Sequence, residues 1–225
     1  MQSTARAYHS HRLYAERWHP HNALLQDALD DTVTYIKANM ADAIVCGDAY
    51  DVLDLASARV ELDGLILEFG VRTGTSINHI AHLHPDRAIH GFDSFEGLPE
   101  DWSGSTSPKG TFAGEGRPTV APNVELVIGW FDDTLGPFLD NHPGDAALVH
   151  IDSDLYSSAK TVLDELAPRI VPGSVIVFNE YFNYPNWRAH EFKAWQEFCA
   201  DRGLGYRYLC WGMYEVAVKV TAIGD

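Results

Sequence analysis

The residues best suited to chemistry lie in two short clusters. His150-Ile151-Asp152-Ser153-Asp154 closes one apolar run, ALVHID over 147–152, and Asn179-Glu180 closes the next, SVIVFN over 174–179. Both runs read as strands of a parallel sheet, and the ends of such strands converge along one edge. Asp152, Asp154, Asn179 and Glu180 are therefore expected around one point. Hard oxygen ligands in that number suit Mg²⁺ or Ca²⁺, whose charge would offset the repulsion among the carboxylates. The acids also have a purely structural reading, because Asp is favoured at helix N-termini. Capping accounts for one of them.

A third cluster is Glu68-Phe69-Gly70-Val71-Arg72-Thr73-Gly74, at the end of the run LILEFG over 65–70. Its glycines either let the backbone approach a ligand or simply make a strand-to-helix turn. Asp93 ends the following run, AIHGFD over 88–93, about twenty residues beyond the glycines, where an acid can accept both hydroxyl protons of a ribose. The pair predicts a nucleoside cofactor. The spacing is not GxGxxG, and Arg72 and Thr73 crowd the turn that a pyrophosphate would need open. A cationic sulfonium, as in S-adenosylmethionine, needs no phosphate cradle and tolerates Glu68, Asp93 and Asp152 around it. Charge thus favours the methyl donor. A nicotinamide-dependent oxidoreductase is the rival enzyme class, and a cofactor-binding module without turnover is the other alternative.

These residues need a sheet to hold them. From Gly64 onward short apolar runs alternate with helical patterns, the signature of βαβ units. VELVIG (124–129) is a further strand with a helix following from Asp132, and Ser76 is expected to cap the helix after the first strand. YRYLC (206–210) and YEVAVKV (214–220) are separated only by Trp211, Gly212 and Met213, a link too short for a parallel crossover. The expected fold is α/β: a doubly wound, Rossmann-like, mostly parallel sheet closed by a C-terminal antiparallel hairpin. Before it, Leu24, Leu25, Ala28, Leu29, Val33, Ile36 and Met40 recur at helical spacing, so two helices are expected over residues 21–60. Ser94 to Asn123, rich in Gly, Ser and Pro, is expected on the rim of the site.

A net charge of −16 opposes a nucleic-acid partner. No apolar run is long enough for a membrane span, and the N-terminal stretch lacks a signal-peptide core, so a cytoplasmic location is expected. The three cysteines, Cys46, Cys199 and Cys210, show no CxxC pattern and are expected to be reduced and buried. Eleven histidines occur without HExxH or HxxxH spacing, which disfavours a His-based metal site.

LEFGVRTGTSINHIA, GFDSFEGLPEDW, HIDSDLYSSAK and VIVFNEY, in that order over roughly residues 65 to 182, resemble the successive motifs of the macrocin O-methyltransferase-like family of class I S-adenosylmethionine-dependent methyltransferases. The resemblance implies metal-assisted O-methylation, with Mg²⁺, of a hydroxyl on a sugar or natural-product small molecule. It implies that Glu68, Gly70 and Gly74 border the methionine part of the cofactor and that Asp93 holds the ribose. Ser76, Ser94 and Trp130 join the expected cofactor contacts, and Asp152 serves both cofactor and metal. Asn179 and Glu180 are the further expected metal ligands, and Asp154 the general base. The family places an acidic pair where Asn179-Glu180 stands here, so one negative charge is lost while a carbonyl oxygen is kept. Tyr181, Tyr184, Trp187, His190 and Glu191 form an acceptor wall or supply a further polar group, unless they only pack a helix. Residues 1–62 are expected to form a helical lid or interface segment and 63–225 the cofactor-binding domain. A second copy of the chain is an expected partner if the apolar face of the N-terminal helices is buried in a homo-oligomer.

Overall fold

A computed structural model of the protein describes residues 19–114 and 116–224. The stretch 1–18, on which the reading of an unprocessed N-terminus rests, lies outside the described residues.

The apolar runs become the strands β2 (Leu65–Phe69), β3 (Ile89–Asp93), β4 (Val124–Ile128), β5 (Ala146–Ile151) and β6 (Val175–Phe178), followed by the hairpin β7 (Gly205–Trp211) and β8 (Val216–Ala222). Ahead of them come helix α1 (Pro20–Asn39), a two-residue strand β1 (Ile44–Val45) and helix α2 (Ala49–Ser57). The eight-stranded sheet has the order β1-β7-β8-β6-β5-β2-β3-β4. Every pairing is parallel except those of β8 with β6 and β7. The mixed sheet expected from the short link at Gly212 is present.

Alternation along the strands explains why both faces are covered. Side chains on successive strand residues point to opposite faces. Ile66, Leu148, Val175 and Val177 accordingly pack with α2 and with α3 (Thr75–Leu83) through Val52, Leu53, Ile77 and Ile80. Leu67, Phe69, Val149, Ile151, Ile176 and Phe178 pack on the other face. There they meet α4 (Phe131–Asn141), α5 (Tyr156–Leu166) and α6 (Glu191–Asp201) through Leu135, Leu163, Trp195 and Phe198. Central strands buried on both faces read as continuous apolar runs, which is why the sequence marked them so clearly.

Three details differ from expectation. β1 has no counterpart in the apolar pattern: its two residues are exposed and exist as a strand only because Cys210 and Trp211 offer an edge. Ser76 does not cap α3. Gly74 occupies that cap position at φ +79 without a side-chain bond, and the Ser76 hydroxyl turns back to the first strand. Cys199 and Cys210 are buried, but Cys46 is only partly so. Among the described residues no helix is long and apolar enough to cross a membrane.

Candidate functional site

From β2 the chain runs outward to β3 and β4, then returns to β5 and proceeds the other way to β6. The carboxyl ends of β2 and β5 therefore flank a crevice where the connecting loops diverge, the favoured place for a ligand in an open α/β sheet. A cavity of about 500 Å³ opens there. Gly70, Asp93, Ser94, Trp130 and Asp152 all line it, as do Asp154, Asn179 and Glu180. The structure thus brings the glycine turn, the acid of the second motif and the two later clusters into one space.

The turn is fixed by its neighbours. Gly70 has φ +96, and a Cβ built on it would fall 1.8 Å from the backbone oxygen of Asp152. Asp152 N donates to Phe69 O at 2.8 Å, so the ends of β2 and β5 are stitched together at this point. Asp93 secures the other side: its Oδ2 accepts from Val71 N (2.9 Å) and Arg72 N (2.8 Å), and its Oδ1 from Phe95 N (2.7 Å). A carboxylate has about four acceptor sites. Asp93 retains capacity for a ligand hydroxyl while holding the loop that frames it.

Glu68, Gly74 and Ser76 do not line the cavity. Glu68 is fully buried, accepting from Ser76 Oγ at 3.1 Å and pairing with His150 Nδ1 at 2.9 Å. Burial alone would push the His150 imidazole down, but the hydrogen bond and charge of Glu68, with Asp152 beyond, win and raise it. The pair braces β2 against β5 behind the crevice wall. Gly74 faces Pro118, whose Cβ a side chain there would meet at 2.8 Å.

The acidic cluster is drawn together more tightly than strand convergence requires. One carboxylate oxygen from each of Asp152, Asp154 and Glu180 lies within 4.8 Å of the others. Burial raises Asp152 to about 6, against the opposing charges of His150 and Arg72. Burial and the charge of Asp152 raise Asp154 to about 7. Burial, with Asp154 and Asp152 beside it, also holds Glu180 well above the usual carboxylate range. Asp154 sits at φ +65, a left-handed conformation costly for most residues and tolerated by Asp and Asn. Glu180 Oε2 is buried with no hydrogen-bond partner.

Glu191 is what holds this cluster in place. It is fully buried at the start of α6, accepting from Ser153 N (3.3 Å) and Asp154 N (3.2 Å) through Oε1 and from Glu180 N (3.1 Å) through Oε2. One carboxylate thereby clamps the loops after β5 and β6. Asn179 differs from the role expected of it: its Nδ2 donates to Asp152 Oδ1 (3.2 Å) and Glu180 Oε1 (2.9 Å), so the amide nitrogen, not the oxygen, faces the acids. The acceptor wall does not form from the downstream aromatics either. Tyr181 and Trp187 are buried in the core, packed with Phe192 and with Tyr35 of α1, and do not line the cavity. The rim comes instead from the 94–123 loop, through Phe95, Leu98, Trp102 and Phe112. Arg72 lies 4.6 Å from the Phe112 ring, and His190 Nε2 donates to Ser103 O at 2.8 Å, tying that loop to the turn and to α6.

The crowded carboxyls make stability depend on pH. Asp154 gives up its proton near 7 in the folded chain but near its ordinary 3.8 when unfolded. Across that window the folded state binds more protons, so stability falls as pH rises. A cation in the cluster would replace the proton and cancel the effect. The melting temperature of chelator-treated protein is expected to fall further below that of Mg²⁺-saturated protein between about pH 4 and about pH 7. A gap that stays constant would separate the cluster from any cation effect.

A sheet of this order closed by an antiparallel hairpin is the class I methyltransferase fold. Residues 67–181 match the model of the methyltransferase domain family, and the chain belongs to that family, which bears out the resemblance carried by its motifs. It is 30% identical over 141 residues to the 8-demethyl-8-(2,3-dimethoxy-alpha-L-rhamnosyl)-tetracenomycin-C 4'-O-methyltransferase of Streptomyces olivaceus, covering 52% of this chain and 53% of that one. The match therefore spans about half the length of that curated relative. Among solved structures it is similar to CalS11, a calicheamicin methyltransferase, with a TM-score of 0.63 and 27% identity over 76% of this chain and 77% of that one. An apo structure of CalS11, described as a TDP-rhamnose 3'-O-methyltransferase, gives a TM-score of 0.54 and 26% identity over 74% and 76%.

Proposed function

We propose that the protein transfers a methyl group from S-adenosylmethionine to a sugar hydroxyl on a small natural-product molecule, assisted by Mg²⁺ held by Asp152, Asp154 and Glu180. The observation that carries this reading is the shared cavity, in which the Gly70 turn and Asp93 stand beside a carboxylate trio, Asp154 buried and Asp152 and Glu180 half-buried, with an unpartnered oxygen on Glu180. An all-oxygen donor set with an orphaned carboxylate oxygen fits a hard divalent ion. The named relatives that act on rhamnose hydroxyls support a deoxysugar acceptor. The nicotinamide alternative fits poorly, because the amides of Val71 and Arg72, which a pyrophosphate would seek, are already given to Asp93.

In-line transfer breaks the sulfur–methyl bond, forms the oxygen–methyl bond and releases the hydroxyl proton. When bound, the ion supplies Lewis-acid polarisation of the acceptor hydroxyl. Asp154 offers one carboxylate oxygen to the cluster and takes the proton on the other. Asp93 orients the donor through its ribose, which sets the reacting atoms in line. Trp102 and Phe112 on the rim exclude water from the transfer path.

Calorimetric titration with S-adenosylhomocysteine tests the cofactor half: Asp93→Ala is expected to weaken binding by about tenfold or more, through loss of a charge-assisted hydrogen bond to the ribose and of the carboxylate that holds the Val71–Arg72 turn. Unaltered affinity would take Asp93 out of the ribose role. For the acceptor half, methyl transfer to a nucleotide-linked deoxysugar should vanish with chelator and return with Mg²⁺. Transfer indifferent to chelation removes the metal and leaves the methyltransferase.

A further inference from the structure

A second set of potential ligands lies away from the cavity and plays no part in the reaction above. His90 on β3 and Glu125 on β4 are register partners in adjacent parallel strands, which places their side chains side by side on one face. His142 follows the last turn of α4 over the same spot. One ligand atom from each of the three lies within 4.8 Å of the others.

Each histidine keeps one ring nitrogen for a ligand. His142 stacks on Phe138 with ring centroids 3.9 Å apart, and its Nδ1 lies 2.8 Å from Phe138 O. A carbonyl oxygen only accepts, so Nδ1 carries the proton and the lone pair is on Nε2. An imidazole that donates its other nitrogen to a backbone carbonyl is the usual arrangement of a metal-ligating histidine. His90 is 7% exposed, set edge-on against Phe138 at 4.7 Å, and its buried Nδ1 has no hydrogen-bond partner. That nitrogen lies 3.5 Å from Glu125 Oε2, too long for a good hydrogen bond. It is close to the spacing of about 3.3 Å between ligand atoms that share a tetrahedral ion with bonds of about 2.0–2.1 Å.

We propose that His90, Glu125 and His142 bind a divalent transition-metal ion, Zn²⁺ foremost, with water completing the tetrahedron. Two imidazoles and one carboxylate select borderline ions, whereas the all-oxygen trio in the cavity selects hard ones. The two sites therefore differ in kind as well as place. Bound there, the ion pins the C-terminal end of α4 to β3 and β4. The opposite end of that helix carries Trp130, Phe131 and Asp132 into the cavity wall. The ion is a structural clip that fixes one wall of the reaction space without touching it.

The test uses the untagged full chain with Mg²⁺ in excess, titrated with Zn²⁺ by calorimetry and with Co²⁺ by visible absorption. One equivalent of Zn²⁺ is expected to bind and to raise the melting temperature, and Co²⁺ should show the intense bands of four-coordinate geometry. Glu125→Gln and His142→Gln should each weaken that binding by more than about 100-fold, since loss of even an outer partner of a ligand costs about 10- to 100-fold. Asp154→Asn should leave it unchanged. Glu125 is exposed, so its variant keeps the fold, and a melting temperature equal to that of metal-free wild type confirms this for both. If Zn²⁺ binds both variants as tightly as wild type, the ion is held elsewhere, and the proposal fails. Absence of any binding overturns it equally.

Discussion

Asp154→Asn is expected to lower turnover by about 10²- to 10⁴-fold at saturating Mg²⁺ while S-adenosylhomocysteine affinity stays within about twofold. The exchange is nearly isosteric, and Asn accepts the left-handed backbone at φ +65 as readily as Asp does. The amide N–H of residue 154 keeps its bond to Glu191 Oε1, so the loop after β5 holds its shape. What disappears is the carboxylate oxygen proposed to take the proton, while the Asn carbonyl still offers an oxygen to the ion. Rate and affinity separate the base from its neighbours: a cofactor contact would show in affinity. Turnover within about threefold of wild type would assign the proton to another group.

Gly70→Ala is expected to be the most damaging single methyl in the protein. Its Cβ would overlap the Asp152 carbonyl oxygen at 1.8 Å and crowd the carbonyl carbon at 2.8 Å, in a backbone conformation L side chains rarely adopt. Both obstacles are backbone, so no rotamer change relieves them. The strained φ alone costs about 1–2 kcal/mol, and displacing Asp152 should bring the loss above about 3 kcal/mol. Because the displaced residue belongs to the acidic cluster, urea unfolding and Mg²⁺ binding should deteriorate together. A variant within about 0.5 kcal/mol of wild type would mean that the ends of β2 and β5 are not packed as described.

Much of this was legible from residue order. Strands buried on both faces announce themselves as apolar runs, and the rule that ligands gather at the carboxyl edge places Asp93, Asp152, Asp154 and Glu180 together from the sequence alone. The three-residue link at Gly212 forced the antiparallel hairpin. Long-range competition hid the rest. Ser76 has the local preference of a cap, but fully buried Glu68 needs a donor and takes its hydroxyl. Nothing near Glu191 hints that it will serve three amides on loops up to 38 residues away. Tyr181 and Trp187 follow the site in sequence yet are drawn into the core, Trp187 by Tyr35 of α1 and Tyr181 by Tyr208 of β7. The lack of HExxH spacing, which disfavours a histidine-based metal site, speaks only for single helices. Adjacent strands can bring His90 and Glu125 together through register alone.

The Glu191 clamp separates two jobs within one crevice. The loops that carry Asp154 and Glu180 are bolted to α6 by a single carboxylate, whereas the outer rim of the cavity belongs largely to the glycine-rich stretch between Ser94 and Phe112. Grafting that stretch from a relative with another sugar preference should redirect which hydroxyl is reached and leave the chemical engine untouched.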